Sequence, residues 1–155
     1  MAIRTSVLLL LAAAFSARSA WAATDVEALR ALHEKVLVAH RQSNVELLLD
    51  DETAAYIVAS RGEISRPTIV ERRERLGPYL RQSAFAEYKD AAEPVVTLSK
   101  DGTLGWVVVQ VEARGVQARA DGKKETIAFV SAWIELYEKR NGRWYRTGNV
   151  SNFKD

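Results

Sequence analysis

The chain has two histidines, and both sit on one stripe of a helical pattern. His40 closes the series Val26, Leu29, Leu32, His33, Val36, Leu37 and His40, spaced by threes and fours. A neutral imidazole with a pKa of about 6.5, facing a cavity, can take up and return a proton. Packed in a core, the same ring donates a single hydrogen bond. His33 lies two turns earlier and reads as packing. Glu135 follows Trp133 by two residues on a strand pattern, so the two share a face. A carboxylate against indole walls loses solvation, and its pKa is expected above the ordinary value of about 4.3. That makes Glu135 the candidate acid or base and His40 its candidate partner. An alternative pairs Glu135 with Arg146 on the next strand, which would lower its pKa instead. Arg61 and Arg66 flank the charged turn Gly62-Glu63-Ile64-Ser65 and could grip a carboxylate, or simply pair with Glu63.

Other chemistry is excluded by what is absent. There is no Cys, hence no disulfide, thiolate metal site or cysteine nucleophile. The histidines are seven apart without a HExxH pattern, and Asp50-Asp51-Glu52 lacks the alternation and Gly of a calcium loop. No P-loop, dinucleotide fingerprint or Gly-x-Ser-x-Gly occurs, so neither metal nor cofactor is expected.

These residues need a scaffold, and 155 residues with 48% hydrophobic content suit one domain behind a leader. Residues 1–22 read as a signal peptide. Arg4 precedes the apolar run Val7 to Phe15, and Ala20-Trp21-Ala22 fits a small-x-small cleavage site. Export to the periplasm or beyond is therefore expected, with the domain spanning 23–155. Without Arg4 and Arg18 the net charge falls from +2 to zero, which favours neither nucleic acid nor an anionic membrane. No later run is long enough for a membrane helix. Arg72, Arg73 and Arg75, among Glu71 and Glu74, read as a solvated helix face.

The pattern predicts a helix from Asp25 to about Gln42. A short helix follows, capped by Ser43 with Glu46, then strands over Thr53–Arg61 and Glu63–Ser65. Thr68 with Glu71 caps a third helix, expected to break at Gly77-Pro78. A meander then runs through Phe85–Leu98, Leu104–Arg114, Thr126–Lys139 and Arg143–Asn152, with Asn141-Gly142 the clearest hairpin turn. The order defines an α+β domain with a curved antiparallel sheet.

Alternation divides the long strands into faces. One carries Val107, Val109 and Val111, and Ala128, Val130, Ala132, Ile134 and Leu136. The other carries Trp106, Val108, Gln110 and Glu112, and Phe129, Ser131, Trp133, Glu135 and Tyr137. The aromatic and polar face is expected to be concave and to line a pocket with Trp106, Gln110, Phe129, Ser131 and Trp133, completed by Tyr56 and Arg146. The aliphatic face is then expected to form a dimer interface. The inverse assignment, with the aliphatic face as helix-covered core, stays open.

The segment from Ala132 to Trp144 (AWIELYEKRNGRW) resembles the strand–turn–strand of the nuclear transport factor 2-like superfamily, where a basic Gly turn precedes a Trp on the final strand. The whole chain after the leader is similar to that family, in particular to its secreted SnoaL-like members of unknown function. The resemblance implies a cone-shaped barrel in which a curved sheet wraps a long first helix. It also implies a pocket at the open end and frequent homodimers through the convex face. Members include isomerases, dehydratases, cyclases and adaptors, so the fold alone assigns no activity. Three readings follow: a domain binding a small, partly apolar organic molecule; a cofactor-free isomerase, lyase or cyclase; or a protein-interaction module.

Overall fold

The computed structural model describes residues 24–152, so the expected leader over 1–22 lies outside them. Three helices and seven strands follow in order. Helix α1 covers 24–41, and α2 covers Val45–Leu49. Strands β1 (Glu52–Ser60) and β2 (Glu63–Ser65) precede α3 (Ile69–Gln82). Strands β3 (Ser83–Asp90), β4 (Val95–Leu98), β5 (Leu104–Ala118), β6 (Lys124–Arg140) and β7 (Arg143–Asn152) complete the chain.

The helix starts follow from side chains that satisfy free backbone donors. The Thr68 hydroxyl accepts from Glu71 N, and the Glu71 carboxylate accepts from Thr68 N, as expected. At α2 the expected cap shifts by one residue. Asn44, not Ser43, accepts from Leu47 N, while the Ser43 hydroxyl donates to Ser83 O at 3.1 Å. Helix α3 runs through Gly77-Pro78 instead of breaking there. Pro78 forfeits one hydrogen bond, but its fixed φ suits a helix, and the residue before it has no Cβ to clash. Burial of Gly77 and Leu80 holds the last turn in place.

The sheet is curved and unclosed, in the order β2-β1-β7-β6-β5-β3, with β4 also on β5. All pairs are antiparallel except β1 with β7, which run parallel. The seven strands therefore form a mixed sheet rather than a wholly antiparallel one. Helix α1 crosses the inner face, where Leu29 and Leu37 pack with Val107, Val109, Val111, Tyr137 and Trp144. Its first turn is pinned by Asp25, which accepts from Lys139 Nζ at 2.6 Å and Trp144 Nε1 at 2.9 Å.

The β5–β6 register decides which residues face inward. Val107 lies opposite Glu135, Val109 opposite Trp133 and Val111 opposite Ser131. Cross-strand partners project to the same side, so these six share the inner face. Trp106 lies opposite Leu136, and Gln110 opposite Ala132, on the outer face. This corrects the expected division. The valine face of β5 is the helix-covered core, and it is continuous with the aromatic face of β6. Trp106 and Gln110 are not pocket residues, since they project outward with Val108 and are exposed.

Candidate functional site

A cavity of about 290 Å³ opens between the helices and the inner sheet face. Helix α1 contributes Val36 and His40, and α2 contributes Leu48. Helix α3 contributes Arg72, Arg75, Leu76 and Tyr79. Strand β1 supplies Tyr56, Val58 and Ser60, and Tyr88 comes from β3. Strand β6 adds Phe129, Ser131, Trp133 and Glu135, and β7 adds Arg146, Asn149 and Ser151. Seven residues singled out in the sequence thus meet on one wall system: His40, Glu135, Tyr56, Phe129, Ser131, Trp133 and Arg146. Arg61 and Arg66 do not line it. The arginines that do are Arg146, Arg72 and Arg75, the last two from the cluster read as a solvated helix face.

A bulge lets β7 present both Arg146 and Asn149. The pairing shifts between Leu136 opposite Gly148 and Tyr137 opposite Arg146. The extra residue reverses the alternation, so an even-numbered and an odd-numbered side chain both point inward.

Glu135 is buried to 1% exposure and fully engaged. It accepts hydrogen bonds from Trp133 Nε1 at 3.0 Å, Tyr137 Oη at 2.6 Å and His33 Nδ1 at 3.2 Å. The other nitrogen of His33 lies 2.8 Å from Asp90 Oδ1. Both ring nitrogens face carboxylate acceptors, so both carry protons and His33 is an imidazolium. Burial alone would lower the His33 pKa, but the hydrogen bonds and charges of Glu135 and Asp90 raise it above 6.5. Burial alone would raise the Glu135 pKa. The His33 hydrogen bond and charge, with the field of Arg146, instead hold it at about 2. This is opposite to the elevation expected from the sequence. Desolvation is present, but it is outweighed by a cation that reads as packing in the helical stripe.

His40 behaves differently. Its ring stacks on Tyr88 with centroids 4.2 Å apart, and Phe85 and Tyr79 meet it edge-on. Nδ1 lies 2.8 Å from Val36 O, an acceptor, so Nδ1 carries the proton. Burial lowers the His40 pKa to about 4, against the opposing pull of that carbonyl. The ring is therefore neutral at physiological pH and presents Nε2 as an acceptor.

The basic side of the cavity rests on one carboxylate. Glu52, whose side chain is fully buried, takes both Nε and Nη2 of Arg72 at 2.5 and 2.6 Å. One of its oxygens also receives Arg146 Nη2 at 2.8 Å. The Arg72 guanidinium lies 3.8 Å from the centre of the Tyr56 ring, and Tyr56 donates to Asn149 Oδ1 at 3.2 Å. Among the described residues, two buried groups in the cavity wall have no hydrogen-bond partner: Ser131 Oγ and Arg146 Nε. Among the described residues no group of three or more His, Cys, Asp or Glu is arranged to hold a metal ion. No helix among them is long and apolar enough to cross a membrane.

The architecture is shared with solved structures. A nuclear transport factor 2-like superfamily protein from Salmonella enterica is 12% identical with a TM-score of 0.67, covering 84% of this chain and 91% of its own. An NTF2-like protein from Cytophaga hutchinsonii is 14% identical with a TM-score of 0.63, covering 83% and 97%. A protein with a cystatin-like fold from Caulobacter vibrioides is 14% identical with a TM-score of 0.64, covering 83% and 89%. The chain has the nuclear transport factor 2-like fold. No family model matches it, and no curated protein does.

Proposed function

We propose that the chain is an exported domain that binds a small, partly apolar organic molecule in its cone and holds it without acid–base turnover. The observation that carries this reading is the cavity of about 290 Å³, walled by Tyr79, Tyr88, Phe129 and Trp133 and containing polar groups left without partners. Pockets of this build, apolar with a few placed polar atoms, suit small ligands. A holding role is favoured over an isomerase, lyase or cyclase by the state of the two candidate groups. Glu135 is committed to three donors with a pKa of about 2, and His40 has a pKa of about 4. Neither is matched to proton transfer near neutrality. Export rests on the leader pattern. A homodimer is proposed through the outer face of the sheet, where Trp106, Val108, Val130 and Val150 are exposed.

Native mass spectrometry of protein purified from the envelope of its own host tests all three parts. The expected spectrum shows a chain beginning near Ala23, assembled in pairs and retaining a small organic molecule. An intact Met1 on soluble protein overturns export. A ligand-free monomer overturns the holding role and the dimer.

A further inference from the structure

We propose that the occupant of this cavity is an organic monoanion. It would be a carboxylate on an apolar, ring-sized body, its charged end against the Arg72–Arg146 wall and Arg75, its body against the aromatic rings. This deepens the binding reading and rests on it.

The charges around the cavity do not balance. Three guanidinium groups line it, from Arg72, Arg75 and Arg146, against one carboxylate, Glu135. Behind the wall, Glu52 serves both Arg72 and Arg146 with its single charge. His33 and Asp90 stand on the far side of Glu135 and cancel one another. One positive charge is left in excess, which a monoanion cancels.

Hydrogen-bonding capacity points the same way. Arg146 is 6% exposed, yet its Nε has no partner. A buried guanidinium normally fills its donors with carboxylate or carbonyl oxygens, because leaving them empty is costly. Arg72 does so through a paired contact with Glu52. Arg75 lines the cavity one turn further along α3 and has neither ion pair nor hydrogen bond among the described residues. A carboxylate matches the planar donor fork of arginine better than any neutral group. The rest of the cavity selects the body. Tyr79, Tyr88 and Phe129 offer ring faces and edges in a space sized for a small aromatic or branched aliphatic group.

The test uses the processed chain with hydrocinnamate, its uncharged twin hydrocinnamamide, and acetate, followed by calorimetry at neutral pH. Hydrocinnamate is expected to bind about tenfold or more tightly than the amide, as a charge-assisted paired contact requires. Acetate is expected to bind much more weakly. Arg75 is exposed and unpaired, so Arg75→Gln keeps the fold. It is expected to weaken the acid far more than the amide and so to remove most of the preference for the acid. Equal binding of acid and amide overturns the anion inference and leaves the binding reading standing. Acetate binding as tightly as hydrocinnamate overturns the apolar half. Failure of all three probes, with a neutral molecule retained in the native spectrum, overturns the inference alone. The same failure with no retained molecule overturns both.

Discussion

His33 and His40 lie seven residues apart on one helix, yet their surroundings push their pKa values in opposite directions. His40 is held neutral, its pKa lowered to about 4 by burial. Its contribution to stability is complete above the unfolded value of 6.5 and is lost as pH falls towards 4. His33 is raised above 6.5, so its contribution is complete below 6.5 and is lost as pH rises through the folded value. Glu135, lowered to about 2, adds a loss as pH falls below 4.5. Stability is therefore expected to peak near pH 6.5, with both limbs visible in urea midpoints measured across the range. His40→Phe keeps the stack on Tyr88 and should flatten the acid limb down to about pH 4. His33→Gln should remove the alkaline limb and cost about 3–5 kcal/mol, because it strands a buried carboxylate. A wild-type profile that stays flat on the alkaline side would refute the imidazolium. The sequence showed that Glu135 would sit beside Trp133, but not which residue would answer its charge. That partner lies 102 positions away on α1, and contacts at such separation leave no spacing signal.

Helix α3 was legible at its start, and its charged run is an exposed face except at Arg72, which is buried. Its cap at Thr68 and Glu71 could be located from residue types alone. The arginine cluster looked solvated because charge alternates there, yet Arg72, Leu76 and Tyr79 recur at helical spacing and turn inward together. The same limit governed the sheet. The strands and the Asn141-Gly142 turn were plain, but the faces depended on the tip between β5 and β6. Ala118 pairs with Lys124, so the turn is centred on Asp121 and even positions pair with even. A tip one residue longer or shorter would have put Trp106 on the same face as Trp133. Loop composition does not fix that parity. At the other edge, β1 approaches β7 closely where Gly148 has no side chain. A Cβ there would lie 2.6 Å from Ile57 O. Gly148→Ala is expected to cost about 1–3 kcal/mol by forcing β1 away. Because β1 carries Tyr56 and Val58, hydrocinnamate affinity should fall with stability. Unchanged melting and binding would show that the two strands can separate freely.

At the scale of the whole molecule, the sheet has one face against α1 and one without a covering layer among the described residues. Val109 and Val108 are adjacent in sequence and belong to these different worlds. Val109 is 2% exposed in the core with Leu37, and Val108 is 38% exposed on the outer face. Trp106, Val130 and Val150 extend that outer patch. An apolar surface spread over several strands is unusual on a monomer. A second copy of the same sheet would cover it through a twofold contact, in which each patch meets its own equivalent. The two valines separate folding from assembly. Val109→Arg buries an unpaired charge against α1 and is expected to prevent folding, with loss of the near-ultraviolet signal of the packed Trp rings. Val108→Arg places its charge in water in the monomer and in an apolar seam in the dimer. It is expected to leave the fold and hydrocinnamate binding intact while halving the mass measured by light scattering. A Val108→Arg protein that stays dimeric would move the interface off this face. A wild-type protein that is monomeric at micromolar concentration would remove the dimer itself.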